Sequence, residues 1–242
     1  MRTALAEKAE FTVKQNPAFP SIYYLVSAGD GRTRLATKNL HPGQRFYGEE
    51  VIHIRGEEYR VWSPYRSKIA AALLRDLHYL PIRPGIDLLY LGVGSGTTCS
   101  HLSDIVGSSG RIFGLDFAAR PMRDFLENLA KRRENLFPIL ADAREPGSYR
   151  ILVPEVDTIY CDVAQQNQTE IIIKNADTFL SGSGWILYAV KSRSIDATKK
   201  PYSIYEQEIA TLEARGYRVR ESIDLSPYEL DHAMVVAQKA GA

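Results

Sequence analysis

Residues 88–105 read LLYLGVGSGTTCSHLSDI: an apolar run, then glycines at 92, 94 and 96, then a segment free of Gly and Pro. Leu88–Gly92 is a buried strand and Thr97–Ile105 a helix. Between them the chain must turn tightly, which glycine permits without steric cost, and the helix N-terminus that follows favours a polar or anionic group. A strand entering a glycine turn that opens a helix is the start of a βαβ unit.

The same alternation runs downstream. Arg111–Asp116 reads as a second strand and Arg120–Glu134 as a charged helix. Phe137–Ala141, Val156–Asp162 and Trp185–Lys191 are further strands, with a helix near Gln168–Leu180 between the last two. Tyr202–Arg215 is a helix stopped by Gly216, and Tyr217–Ile223 and Ala233–Gln238 close the chain as strands. Strands separated by helices predict a mostly parallel sheet covered on both faces. No helix separates the last two strands, so they are expected to pair antiparallel at one end.

Upstream, RSKIAAALLRDLHYL carries Ile69, Leu73, Leu77 and Leu80 at helical spacing, with Pro81 and Pro84 ending the helix. Before Ser63-Pro64 no helical period survives. SIYYLVSA, TRLATKN, RFYGEEVIHI and EYRVWS are short, rich in Tyr, Val and Ile, and separated by GDG, HPG and RGEE turns. The expectation is α/β: a Rossmann-like seven-stranded sheet, last strand antiparallel, over residues 63–242, with a small β domain over residues 1–62.

Apolar residues make up 45% of the 242 and charged residues 24%, so a disordered chain is excluded. Thirty Lys+Arg against 29 Asp+Glu give a net charge of +1, too balanced for a protein held on nucleic acid by bulk charge alone. Two cysteines, Cys99 and Cys161, make neither a disulfide framework nor a four-ligand zinc site, and no metal is expected. The opening MRTALAEKAEFTVKQ carries charges where a signal peptide needs an apolar run, and no membrane span is apparent, so a cytoplasmic protein is expected.

The ligand of the glycine turn follows from what stands after each strand. A dinucleotide fold wants G-x-G-x-x-G, and here the third glycine falls one place early; a Walker lysine is missing. Twenty residues after Gly96 comes Asp116, then Phe117, where a carboxylate can accept both hydroxyls of a ribose. Asp142-Ala143 follows the third strand, where a carboxylate can meet an adenine amino group. Asp162-Val163-Ala164-Gln165 follows the fourth. Acidic residues at successive strand ends suit a nucleoside carrying a cationic sulfonium better than a pyrophosphate. The ligand expected is S-adenosyl-L-methionine, held by Gly92, Gly94, Ser95, Gly96, Thr97, Thr98, Asp116, Phe117, Asp142, Ala143, Asp162, Val163, Ala164 and Gln165.

SPYRSKIAAALL, LLYLGVGSGTTCSHLSDIVG, DVAQQNQTEI, AVKSRSID and SPYELDHAMVVAQK resemble, segment by segment, the fibrillarin-like RNA 2′-O-methyltransferases of archaeal type. The resemblance runs from about Val51 to Lys239. One departure is Asp116, where that family usually has Glu beside the Phe. The resemblance implies the catalytic subunit of a box C/D ribonucleoprotein. A guide RNA would select nucleotides in rRNA or tRNA, a Nop-type scaffold protein would hold the enzyme, and a kink-turn-binding protein of the ribosomal L7Ae type would anchor the RNA. It also implies a Lys-Asp-Lys-His catalytic set, matched by Lys68, Asp162, Lys191 and His232.

Methyl transfer to a ribose oxygen needs alignment of donor and acceptor and removal of a weakly acidic proton. Lys191 is expected to act as base or hydroxyl-polarising group, aided by nearby Lys68 and partial burial; Asp162 orients a lysine and His232 completes the network. Arg60, Arg66, Lys68, Lys191, Arg193, Lys199 and Lys200 are expected to offer phosphate contacts. A thiol nucleophile at Cys161 is considered and set aside, as is an amino acceptor, because no N-P-P-Y type loop follows the fourth strand. The competing functions are a stand-alone methyltransferase, a non-catalytic scaffold that kept the fold, and, more remotely, a nicotinamide-dependent oxidoreductase.

Overall fold

The computed structural model describes residues 11–240; the part of the opening segment before Phe11 lies outside them. Five short strands come first: β1 (Phe11–Gln15), β2 (Tyr23–Ser27), β3 (Thr33–Lys38), β4 (Val51–Ile54) and β5 (Glu57–Val61). They form an antiparallel sheet in the order β1-β2-β3-β5-β4. RFYGEEVIHI is strand only from Val51. Before it, Glu49 accepts main-chain N–H groups of Phe46 and Tyr47, which bends Arg45–Glu50 into a turn instead of a ladder.

Helix α1 (Lys68–Leu74) is shorter than the apolar spacing predicts. It stops because Asp76 adopts φ +62°, and Leu77 N–H turns back to the Ala72 carbonyl at 3.1 Å. Leu77 and Leu80 are still buried, so the period reported burial after the helix had ended. The remaining elements are β6 (Asp87–Leu91), α2 (Thr97–Val106), β7 (Arg111–Asp116), α3 (Ala119–Asn128), β8 (Leu136–Leu140), β9 (Val156–Cys161), α4 (Gln168–Phe179), β10 (Leu180–Lys191), α5 (Ser192–Ile195), α6 (Pro201–Ala214), β11 (Tyr217–Asp224) and β12 (His232–Lys239). The helix expected over Arg120–Glu134 ends at Asn128; Ala130–Arg132 form a separate 3₁₀ turn.

The second sheet has seven strands in the order β11-β12-β10-β9-β6-β7-β8. β10, β9, β6, β7 and β8 are parallel, and β12 runs antiparallel between β10 and β11. On β6, Leu88 and Tyr90 face one apolar cluster while Leu89 and Leu91 face the other. Burial of both faces explains why the strand reads as a continuous apolar run. The chain moves outward from β6 through β7 to β8, then returns to β9 on the other side of β6. That reversal opens a crevice at the carboxyl ends of β6 and β9, where open α/β sheets bind ligands.

The first sheet is fastened to α2 by buried charges. Arg60, 0% exposed, pairs with Glu49 at 2.7 Å and with Asp104 at 2.8 Å, and Asp104 also pairs with Arg133 at 2.8 Å. Asp104 further accepts from the Thr37 hydroxyl and the Leu40 N–H. Because the one Thr37 hydroxyl proton goes to Asp104, His101 must donate to Thr37 through Nδ1–H, leaving Nε2 to accept from Tyr47. Trp62 stacks on the His101 ring at 4.9 Å. Arg60 is therefore no phosphate ligand: it is a structural cation, and the sequence expectation for it is corrected.

Candidate active site

The glycine turn is shaped by three left-handed residues: Gly92 (φ +81°), Gly94 (φ +58°) and Gly96 (φ +91°). At Gly92 a Cβ would stand 3.0 Å from the Asp162 carbonyl oxygen, so glycine lets β6 and β9 close together at the crevice. At Gly96 it would stand 2.6 Å from Phe125, which seats α2 against α3. At Gly94 nothing lies within 4 Å, and its N–H donates to Asp116 at 2.9 Å. The other Asp116 oxygen accepts from Ala118 N–H at 2.9 Å, so the carboxylate is held rigidly at the tip of β7.

A cavity of about 350 Å³ occupies the crevice. Gly92, Gly94, Asp116, Phe117, Asp142, Ala143, Asp162, Val163, Ala164 and Gln165 all line it, as the strand-end reading expected. Ser95, Gly96, Thr97 and Thr98 do not. Ser95 faces solvent, Gly96 is packed under Phe125, Thr97 opens α2, and Thr98 donates to the Ser67 hydroxyl at 3.1 Å. Three residues that the sequence reading missed complete the wall: Leu115, Ile171 and Arg144. Arg144 grips Asp142 through Nε and Nη2, and its hydrogen bond holds that carboxyl below the ordinary value.

Beside the cavity, Asp162 Oδ1 stands 3.2 Å from Lys68 Nζ and 2.9 Å from Lys191 Nζ. Lys191 Nζ also donates to the Asp162 carbonyl at 2.6 Å. All three side chains are about one-seventh exposed (14–15%). Ser67 caps α1 and receives Thr98, which fixes the start of α1 and with it Lys68. Gln168, fully buried and also missed in the sequence, accepts the Lys191 N–H at 3.1 Å and so fixes the end of β10. No sequence signal marks it beyond its place at the start of α4.

His232 lies directly across the ladder from Lys191, which puts both side chains on the same side of the sheet. Its Nδ1 meets the Leu230 carbonyl at 2.7 Å, so the neutral ring carries its proton there and leaves Nε2 as an acceptor. The four expected catalytic residues thus come from α1, the end of β9, the end of β10 and the start of β12, and converge at one edge. Of the expected phosphate contacts, Arg66 lies exposed over the Tyr47 ring at 4.6 Å, Arg193 pairs with Asp231 at 2.9 Å, and Lys199 and Lys200 are exposed.

Cys99 and Cys161 are both buried. Burial pushes the Cys161 thiol up to about 12, which removes it as a thiolate nucleophile.

The group expected in the cavity can be tested against its walls. A glycine cradle leaves room at Gly94, carboxylates of Asp116 and Asp142 stand where hydroxyl and amino donors would arrive, and the volume suits a nucleoside-sized ligand. S-adenosylmethionine fits that donor set.

Comparison with known proteins points the same way. The fibrillarin family model matches residues 13–241. A fibrillarin-like rRNA/tRNA 2′-O-methyltransferase of Staphylothermus marinus is 54% identical over 215 residues, 89% of this chain and 92% of that one. Aeropyrum pernix fibrillarin, solved with natively bound S-adenosyl-L-methionine, superposes with a TM-score of 0.88 at 48% identity, covering 95% of this chain and all (100%) of that one. The fibrillarin of a fibrillarin/Nop5p complex superposes with a TM-score of 0.78 at 40% identity, covering 85% and 94% of the two chains.

Proposed function

The chain belongs to the fibrillarin family, and on that premise we propose that it is an S-adenosylmethionine-dependent RNA 2′-O-methyltransferase acting as the catalytic subunit of a box C/D ribonucleoprotein. In this reading a guide RNA chooses the ribose in rRNA or tRNA, a Nop-type scaffold holds the enzyme, and an L7Ae-type protein anchors the RNA. The observation that carries it is Asp162, which lines the cavity and whose carboxylate takes two lysines. Support for the scaffold is the fibrillarin/Nop5p complex among the related structures.

When bound, S-adenosylmethionine supplies an activated methyl group on a sulfonium. Gly94, Asp116, Phe117, Asp142 and Ala143 would hold its nucleoside, with Asp162–Gln165 beside the sulfonium and amino-acid end. Lys191, fixed by two Asp162 oxygens, presents an ammonium to an incoming 2′-hydroxyl and polarises it. A paired ammonium donates but cannot accept, so the geometry favours this role over that of a base. His232 offers Nε2 as the acceptor nearest in the ladder. Lys68 shares the Asp162 carboxylate and gives the cluster one excess positive charge, which favours an acceptor oxygen that is losing its proton.

The test combines the chain with scaffold, kink-turn-binding protein, guide RNA, target RNA and labelled S-adenosylmethionine. Methylation should move to a new ribose when the guide is changed and vanish when the guide is omitted. Guide-independent methylation by the chain alone would overturn the reading in favour of a stand-alone enzyme. Methylation unaffected by Lys191→Ala would favour a scaffold that merely kept the fold.

A further inference from the structure

Two Ser-Pro-Tyr tripeptides, Ser63-Pro64-Tyr65 and Ser226-Pro227-Tyr228, lie far apart in the chain and come together in space. The Tyr65 and Tyr228 rings meet edge to face, 5.4 Å apart at 71°. Tyr228 rests against the large apolar cluster, but Tyr65 is 68% exposed. Tyr65 stands three residues before Lys68, and Tyr228 four before His232. The pair therefore joins the two loops that deliver a lysine and the histidine to the site. It takes no part in the cavity between Gly92 and Asp142. Leu230, whose carbonyl holds His232, is also exposed, at 70%.

We infer that the Tyr65–Tyr228 pair is a subsite for the acceptor RNA strand, lying against the sugar faces beside the ribose to be methylated. The inference rests on the activity proposed above and adds the residues that present the acceptor. A 2′-hydroxyl on an A-form helix projects into a wide, shallow groove that side chains read by shape, so an exposed aromatic ridge suits it better than a pocket. Arg66, exposed and next in chain to Tyr65, suits a flanking phosphate. With the excess positive charge of the Lys68–Asp162–Lys191 cluster, Arg66 favours RNA over an apolar protein partner, Glu229 beside Tyr228 being the opposing charge.

The test uses the assembled particle with saturating guide and target. Tyr65→Ala should slow single-turnover methylation about tenfold, the loss expected of one aromatic contact with nucleic acid, with S-adenosylmethionine binding and melting temperature unchanged. Tyr65→Phe keeps the ring and should restore the rate. Tyr65→Trp adds an indole whose emission should be quenched by target RNA and not by S-adenosylmethionine alone. An unchanged rate in Tyr65→Ala, a rate loss that Phe does not rescue, or an indole blind to RNA overturns the subsite while leaving the enzyme reading intact. A wild-type particle that does not methylate overturns both.

Discussion

Two charged clusters divide the molecule's work. The one between the sheets holds Arg60, Arg133, Glu49 and Asp104, two cations against two anions, with every side chain 0–1% exposed. The one beside the cavity holds Lys68, Lys191 and Asp162, two cations against one anion, partly open to solvent. Buried charge is tolerable only where it is balanced and hydrogen-bonded, because the desolvation cost of an unpaired ion is several kcal/mol. The first cluster nearly meets that condition: Arg60 also donates to the Ser100 carbonyl and hydroxyl, Asp104 accepts four donors' contacts from Arg60, Arg133, Thr37 and Leu40, and Arg133 Nε is left without a partner among the described residues. The second carries one excess positive charge, which the proposed function assigns to the substrate site. On that proposal, balance accompanies fastening and imbalance accompanies chemistry.

That contrast breaks most easily at Asp104. Asp104→Ala strands two buried arginines and should cost about 3–5 kcal/mol of unfolding free energy in a urea titration. A loss under about 1 kcal/mol would mean that the cluster is not a fastening. At the other cluster, Lys191→Ala should leave the urea midpoint nearly unchanged but slow methylation by the assembled particle on the order of a hundredfold. If stability fell instead of rate, the division between the clusters would be wrong.

Gly96 stands between them, at the start of the helix that carries Ser100, His101 and Asp104. Gly96→Ala places a methyl 2.6 Å from Phe125 at φ +91°. It should cost about 2 kcal/mol of stability and also weaken S-adenosylmethionine binding in calorimetry, showing how far the two sites share one support.

The subtlest readout is a slope with pH. Burial, then Arg60 and Arg133, hold the His101 imidazole well below its ordinary 6.5. The unfolded chain therefore binds a proton that the folded one refuses. The contribution of neutral His101 is complete above about pH 6.5 and is lost as pH falls, at up to about 1.4 kcal/mol per pH unit. Glu49 joins only lower down: burial raises its carboxyl, but Arg60 and main-chain donors outweigh it and hold it below 4.5. Urea midpoints between pH 7 and 4.5 should show the slope, and His101→Gln should flatten it.

The sequence carried the parallel sheet well, for a physical reason. Strands buried on both faces must be apolar throughout, so LLYL at 88–91 and the run at Thr158–Cys161 stand out against their glycine and aspartate ends. The cavity-lining residues were legible because they sit at those same ends. Arg60 was not, since an arginine in a hairpin looks like a surface cation until Asp104, 44 positions away, is seen beside it. Gln168 and Arg144 were hidden for the same reason: their roles are contacts, with Lys191 N–H and with Asp142, that no periodicity encodes. The early end of α1 was missed because Leu77 and Leu80 keep the helical period in a segment that is no longer helical.

The buried charges around Asp104 also govern how the chain can be divided. A cut at Trp62–Pro64 looks natural, falling between two sheets, yet it would strip Arg60, with its Glu49 partner, and Thr37 from Asp104 and expose the imidazole face that Trp62 covers on His101. The catalytic sheet alone would then carry an acid and Arg133 at a surface built to be dry. The two sheets should unfold in a single cooperative step, and a minimal enzyme obtained by trimming would have to be redesigned along α2 before it could stand alone.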